Sequence, residues 1–102
     1  MPAPPNPELT GEQLRLRAHR QQMLGAKLRS HRTQRGMTQE RLAHDAHMSR
    51  SNYIEVETGH RGIQVDRLWE ICDAMDGLDA GILLSEVAAA LRQQGEHTRK
   101  AT

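Results

Sequence analysis

Aromatic residues are nearly missing from this 102-residue chain, which has no phenylalanine, one tryptophan and one tyrosine. Any core must rest on Leu, Ile, Val, Met and Ala, which suits a helical bundle. The single cysteine, Cys72, excludes an intramolecular disulfide and fits a reducing compartment. No run approaches the roughly 18 apolar residues of a membrane helix, and the opening MPAPPNPELTG has no basic-then-apolar secretion signal. A cytoplasmic protein with no membrane contact is expected. There are no internal repeats, no strand-like alternation and no Gly-rich phosphate loop. No nucleophile, base and oxyanion-donor set is legible either, so neither enzymatic activity nor a cofactor is expected. Lysine is scarce, at two against twelve arginines, and with abundant Ala this fits a GC-rich bacterial coding sequence.

What is present is organised by charge. The net charge is only +1. Residues 11–36, however, carry seven basic groups against Glu12, a local +6, while residues 63–86 carry Arg67 against six acids, a local −5. A chain polarised in this way can offer one basic face to phosphate. Taken alone, such a run is more often an ordinary solvated helix surface.

The segment TQERLAHDAHMSRSNYIEVETG, residues 38–59, carries the most information. Thr38 and Ser49 are two helix N-caps eleven residues apart. Each sits in a hydrophobic staple, Met37 with Leu42 and Met48 with Tyr53. Glu40 adds a negative charge to the first turn of its helix. The spacing leaves room for one helix of about two turns and a tight connection, the dimensions of a helix-turn-helix. Ala43, Met48, Tyr53 and Val56 are spaced to share one small core. Ser49, Arg50, Ser51, Asn52 and Glu55 then face outward. A helix exposing short polar side chains and an Arg at its N-terminal end can enter a DNA major groove.

Around this segment the pattern predicts an all-α, five-helix domain over residues 10–94. A disordered Pro-rich stretch precedes it at 1–9 and a disordered tail follows at 95–102. Thr10 with Gln13 reads as a capping box opening a helix that runs toward Arg35, either unbroken or as two helices meeting near Gly25. Leu14, Ala18, Gln21, Gly25, Leu28 and Arg32 share one face of it. Gly36 is a left-handed stop. Helices are expected at about Gln39–Asp45, Arg50–Glu57 and Val65–Met75, the last with Leu68, Ile71, Cys72 and Met75 inside. Asp76-Gly77 is a turn, and Asp79 caps a helix over 79–94 that ends before Gly95.

Residues Leu24–Leu78 resemble the phage repressor and Cro type of helix-turn-helix domain, the XRE family. The likeness lies in LGAKLRSHRTQRGMTQERLA, MSRSNYIEVETGHRG and VDRLWEICDAMDGL, with Leu28, Arg29, Arg32, Gly36, Thr38, Gln39, Leu42, Ala43, Ser49, Glu57, Gly59, Leu68 and Ile71 in order. One departure is His47, where the family usually has the Gly of the inter-helix turn. Positive φ there costs a residue with a side chain about 1 kcal/mol, although His tolerates it better than most.

The resemblance implies site residues. Arg32 and Glu57 match positions that form a structural ion pair. Gln39 matches a phosphate contact at the start of the second helix, and Ser49 serves as both cap and phosphate ligand. Arg29, Arg35 and Arg61 are further candidates for phosphate. Arg50, Ser51 and Glu55 match base-reading positions, with Asn52 further round the helix. Arg50 suits guanine and Glu55 suits cytosine N4, and Glu55 could alternatively orient Arg50 or repel phosphate.

The last helix is apolar nearly all round, from Ile82 to Leu91. It therefore needs a second partner besides its own core. Another copy of the chain is the expected one, through Leu84, Val87 and Leu91; simple packing against the first helix is the alternative. The whole reads as a homodimeric transcriptional regulator, a repressor in kind, binding a near-palindromic double-stranded DNA operator in the nucleoid. An antitoxin with a toxin partner and a protein-binding adaptor are the rival readings. His44 and His47 are three apart, but the helix between them ends early and no third ligand lies nearby, so no metal is expected.

Overall fold

The computed structural model describes residues 8–101, with side chains to residue 95. Five helices make up the fold: α1 Gly11–Gln34, α2 Gln39–Asp45, α3 Arg50–Glu57, α4 Val65–Ala74 and α5 Ala80–Ala101. No strand occurs among the described residues. Most of the Pro-rich stretch expected to be disordered, residues 1–7, lies outside them.

Local chemistry starts the helices. At Thr10 the hydroxyl accepts the Gln13 N–H at 3.1 Å, while the Gln13 side chain accepts the Thr10 N–H at 2.8 Å. Thr38 accepts from the Arg41 N–H at 3.0 Å and Ser49 from the Asn52 N–H at 3.2 Å. The Asp79 carboxylate accepts from Gly81 and Ile82 at the head of α5. Each of these satisfies backbone donors that a helix leaves unpaired at its N-terminus.

Leu28 of α1, Leu42 and Ala43 of α2, Tyr53 and Val56 of α3, Leu68, Ile71 and Cys72 of α4, and Leu83 of α5 close one core. Cys72 is fully inside it, and burial, with Asp73 and Asp79 adding, pushes its thiol upward. That keeps it protonated and unreactive. In the sequence of contacts, α1 packs on α3 and α5, α2 on α3 and α4, and α4 on α5.

Three expectations change. First, α1 is one unbroken helix, but its apolar stripe finds a partner only from the middle onward. Gly25 and Leu28 are buried, whereas Leu14 is 52% exposed and residues 11–18 are exposed throughout. The first turns form an arm projecting from the domain. Second, α5 does not stop before Gly95 but continues to Ala101, through the segment expected to be a disordered tail. A lone Gly weakens a helix by about 1 kcal/mol without ending it. Gly95 is not among the glycines that adopt the left-handed backbone of a helix stop. Third, Val87, expected at a dimer contact, is only 7% exposed. It lies with Ala80 and Leu83 on the inward row of α5, at helical spacing.

Gly25 sets how closely α1 and α3 approach. A Cβ built there would lie 2.2 Å from the Glu57 carbonyl oxygen and 2.7 Å from that of Val56. Only glycine lets the two backbones meet. Gly25→Ala should therefore lower the unfolding free energy by about 1–3 kcal/mol, the range seen when cores are overfilled, with the urea m-value unchanged. A urea melt indistinguishable from wild type would contradict this packing.

Candidate nucleic-acid interface

The turn between α2 and α3 aims the second helix. It passes through His47, which holds φ +58°, the left-handed conformation that a side chain normally resists. Arg67 of α4 reaches across to donate to the His47 carbonyl at 3.3 Å, while also pairing with Glu70 at 3.0 Å. Beyond the turn, α3 separates its faces cleanly. Tyr53, Val56 and Glu57 are buried, while Ser49, Arg50, Ser51 and Asn52 are exposed.

Behind this exposed row, the structure brings Arg32 and Glu57 together. Arg32 Nε donates to Glu57 Oε2 at 2.9 Å and Nη2 to Oε1 at 2.7 Å. Its remaining Nη1 donates to the Met37 carbonyl at 2.8 Å. The side chains are 11% and 3% exposed. One guanidinium thus joins α1, the approach to α2 and the last turn of α3. Burial alone would raise the Glu57 carboxyl. The hydrogen bonds from Arg32 outweigh that, aided by Tyr53 and Gln39, and hold it below its ordinary value. The Glu57 hydrogen bond and charge raise Arg32 in turn. The Tyr53 hydroxyl is buried beside the pair without a hydrogen bond of good geometry. Burial, then the neighbouring carboxylate, push its pKa up.

Gln39 belongs to the same network, donating from Nε2 to Glu57 Oε1 at 3.3 Å. Its amide is thereby fixed, with the side-chain oxygen left over, at the mouth of α2. Arg29 is exposed on α1 and available to a ligand. Arg35, expected at phosphate, is instead committed to the fold. Its Nε donates to the Met75 carbonyl at 3.2 Å and Nη1 to the His31 carbonyl at 3.0 Å, with the carboxylate of Asp76 at 4.0 Å. It fastens the end of α1 to the end of α4, where the Met75 carbonyl also accepts the Leu78 N–H at 3.2 Å.

Glu55 pairs with neither Arg50 nor a neighbour on its own helix. It meets Arg61 of the following loop, Nε to Oε2, at 2.7 Å. The loop doubles back because the His60 N–H bonds the Glu55 carbonyl at 2.9 Å and Gly59 takes φ +81°. A side chain at Gly59 would also strike Gln22 of α1, with Cβ 2.7 Å from its Cα.

A helix-turn-helix family model matches residues 28–83, more than half of the chain. The chain belongs to the XRE-type helix-turn-helix family. Among solved structures, the clp gene regulator ClgR from Corynebacterium glutamicum is 29% identical, over 80% of this chain and 86% of that one, with a TM-score of 0.73. A second ClgR structure is 31% identical over 70% of this chain and 91% of its own, with a TM-score of 0.65. The restriction-modification controller protein C.AhdI from Aeromonas hydrophila is 30% identical over 62% and 94%, with a TM-score of 0.60. No curated protein gives a match. This helix-turn-helix protein is a DNA-binding transcriptional regulator, not an enzyme. No group of three His, Cys, Asp or Glu side chains that could hold a metal occurs among the described residues, and no described helix is long and apolar enough to cross a membrane.

Two participants escaped the sequence reading, Arg67 at the His47 carbonyl and Arg61 as the partner of Glu55. Neither has a short-range signal, since each depends on the path of a loop. The Arg32–Glu57 pair generates a prediction. Arg32→Ala or Glu57→Ala alone should destabilise the fold by about 3 kcal/mol, because each leaves a buried charge uncompensated, and a double-mutant cycle should show coupling. The folded carboxyl titrates below its unfolded value of 4.5. Its contribution is therefore full above that pH and is lost as pH falls through the lower, folded pKa. Glu57→Gln should flatten this acid limb in melts followed by circular dichroism. Additive single effects with an unchanged acid limb would show that the pair carries no weight.

Proposed function

We propose that the protein works as a homodimeric repressor, placing two α3 helices in successive major grooves of a near-palindromic operator in the bacterial nucleoid. The observation that carries this reading is the division of α3. Its inward row is locked by the Arg32–Glu57 network, while Arg50, Ser51 and Asn52 stand exposed without an intramolecular side-chain hydrogen bond. A rigid helix with a free polar edge is what direct base readout requires. Arg50 would read guanine through O6 and N7, with Ser51, Asn52 and Glu55 completing the base-facing set. Gln39 and Ser49 at the two helix starts, with Arg29 and Arg61 at the flanks, would hold phosphates and set register. The structural neighbours named as a gene regulator and a controller protein support the regulatory role.

The dimer is supported by an apolar groove between α1 and α5, lined by Leu24, Ile63, Leu84, Val87, Ala88 and Leu91 among others. Leu84, on the rim of this groove, is 47% exposed. Contiguous exposed apolar side chains on a small domain call for a covering surface, and a second copy related by two-fold symmetry would supply it and set the half-site spacing. Val87 contributes from the floor of the groove.

Two experiments test this function. In sedimentation at tens of micromolar, the wild type should be a dimer, and Leu84→Glu with Leu91→Glu should give folded monomers that bind operator more weakly. A wild-type monomer would end the dimer reading. In binding assays on duplexes selected from a random pool, Gln39→Ala should weaken operator and random DNA by similar factors. Arg50→Ala should cost about 1–3 kcal/mol on the operator, far less on random DNA, and relax one base pair. An unchanged selected sequence for Arg50→Ala would remove it from base readout.

A further inference from the structure

We infer that Glu55 and Arg61 engage DNA as one unit, with Glu55 positioning Arg61 against a backbone phosphate while offering its own second oxygen to a base. This rests on the DNA-binding reading above and adds a specificity determinant outside the recognition helix. The pair is short, at 2.7 Å, yet its side chains are 47% and 51% exposed. An exposed ion pair contributes little to folding, so the geometry has its weight elsewhere. Three contacts hold the loop that carries Arg61. The His60 N–H is bonded to the Glu55 carbonyl, His60 Nδ1 lies 2.9 Å from the Thr58 hydroxyl, and Gly59 is pressed against Gln22 of α1.

The atoms used by the pair matter. The contact runs from Arg61 Nε to Glu55 Oε2. The two terminal guanidinium nitrogens remain for the fork geometry that suits phosphate. Oε1 remains to accept from an exocyclic amino group, cytosine N4 being the favoured one. An unpaired carboxylate on this helix would face the phosphates and be repelled. With Arg61 attached, the pair is neutral, and Glu55 can approach a base edge. Arg61 is thus a phosphate contact on which the reading of one base pair depends.

The test uses the full chain on selected operator and random duplexes, over a series of salt concentrations, with a new selection for each variant. Thermal melts check that every variant is folded. Arg61→Ala should weaken both duplexes by about tenfold, reduce the log–log salt slope by about one per protomer, and flatten the preference at the base pair assigned to Glu55. A mere phosphate contact would leave that preference intact. Glu55→Ala should flatten the same base pair and lose the same increment of slope. The double variant should then be no weaker than the weaker single. Glu55→Gln keeps an acceptor for Arg61, so it should retain the slope while shifting the preference toward adenine. The inference is overturned if Glu55→Ala strengthens binding to both duplexes with the slope intact, which would make Glu55 a simple repulsive charge. Strict additivity of the two single changes would overturn it as well. Failure of the wild type to bind any duplex would instead overturn the DNA-binding reading itself.

Discussion

A single guanidinium, that of Arg32, ties α1 to α3 and to the approach to α2, and the placing of the exposed edge of α3 depends on it. Its bonds to Glu57 and to the Met37 carbonyl run from α1 to the end of α3 and the approach to α2. A buried ion pair contributes little net stability compared with apolar packing, so its importance here is directional. Apolar contacts fix how close helices lie but slide easily. A bidentate pair fixes the rotation of α3 about its axis, and that rotation decides which side chains reach a base. Gln39 adds a second consequence. Because it bonds the same carboxylate at 3.3 Å, a candidate phosphate contact and the recognition helix share one anchor.

The strained turn belongs to the same economy of parts. His47 occupies a left-handed conformation that glycine would enter freely, and Arg67 bonds its carbonyl from α4. The hydrogen bond offsets part of the conformational cost of roughly 1 kcal/mol and couples the turn to a helix that does not itself belong to the motif.

Much of this was legible in the sequence because it is written locally. The caps at Thr10, Thr38 and Ser49 act over three residues, and the structure starts helices at each. The Arg32–Glu57 pairing could be named only through family resemblance, since twenty-five residues separate the partners. The errors were of another kind. Arg35 looked like a free cation because the Met75 carbonyl that binds it lies forty positions away. The depth of Val87 in its groove was hidden because an all-round apolar helix conceals its own phase, and only packing shows which row faces inward. Gly95 carried a stop signal that depends on backbone conformation as well as on composition. Glu55 and Arg61 are only six positions apart, yet no helical or strand spacing joins them. The left-handed Gly59 does.

The close approach at Gly25 has a mechanical consequence for the arm that precedes it. With its backbone pressed on the Glu57 and Val56 carbonyls, α1 can neither rotate nor slide relative to α3. The exposed turns from Gly11 onward are continuous with that clamped segment, so they behave as a spoke keyed to the recognition helix. An insertion of one residue between Arg20 and Gln21 would leave the contacts of Gln22 and Gly25 in register yet swing Arg15, Arg17 and Arg20 by about 100° around the spoke. Evolution can therefore re-aim this basic lever in steps, one residue at a time, without renegotiating the domain that carries it.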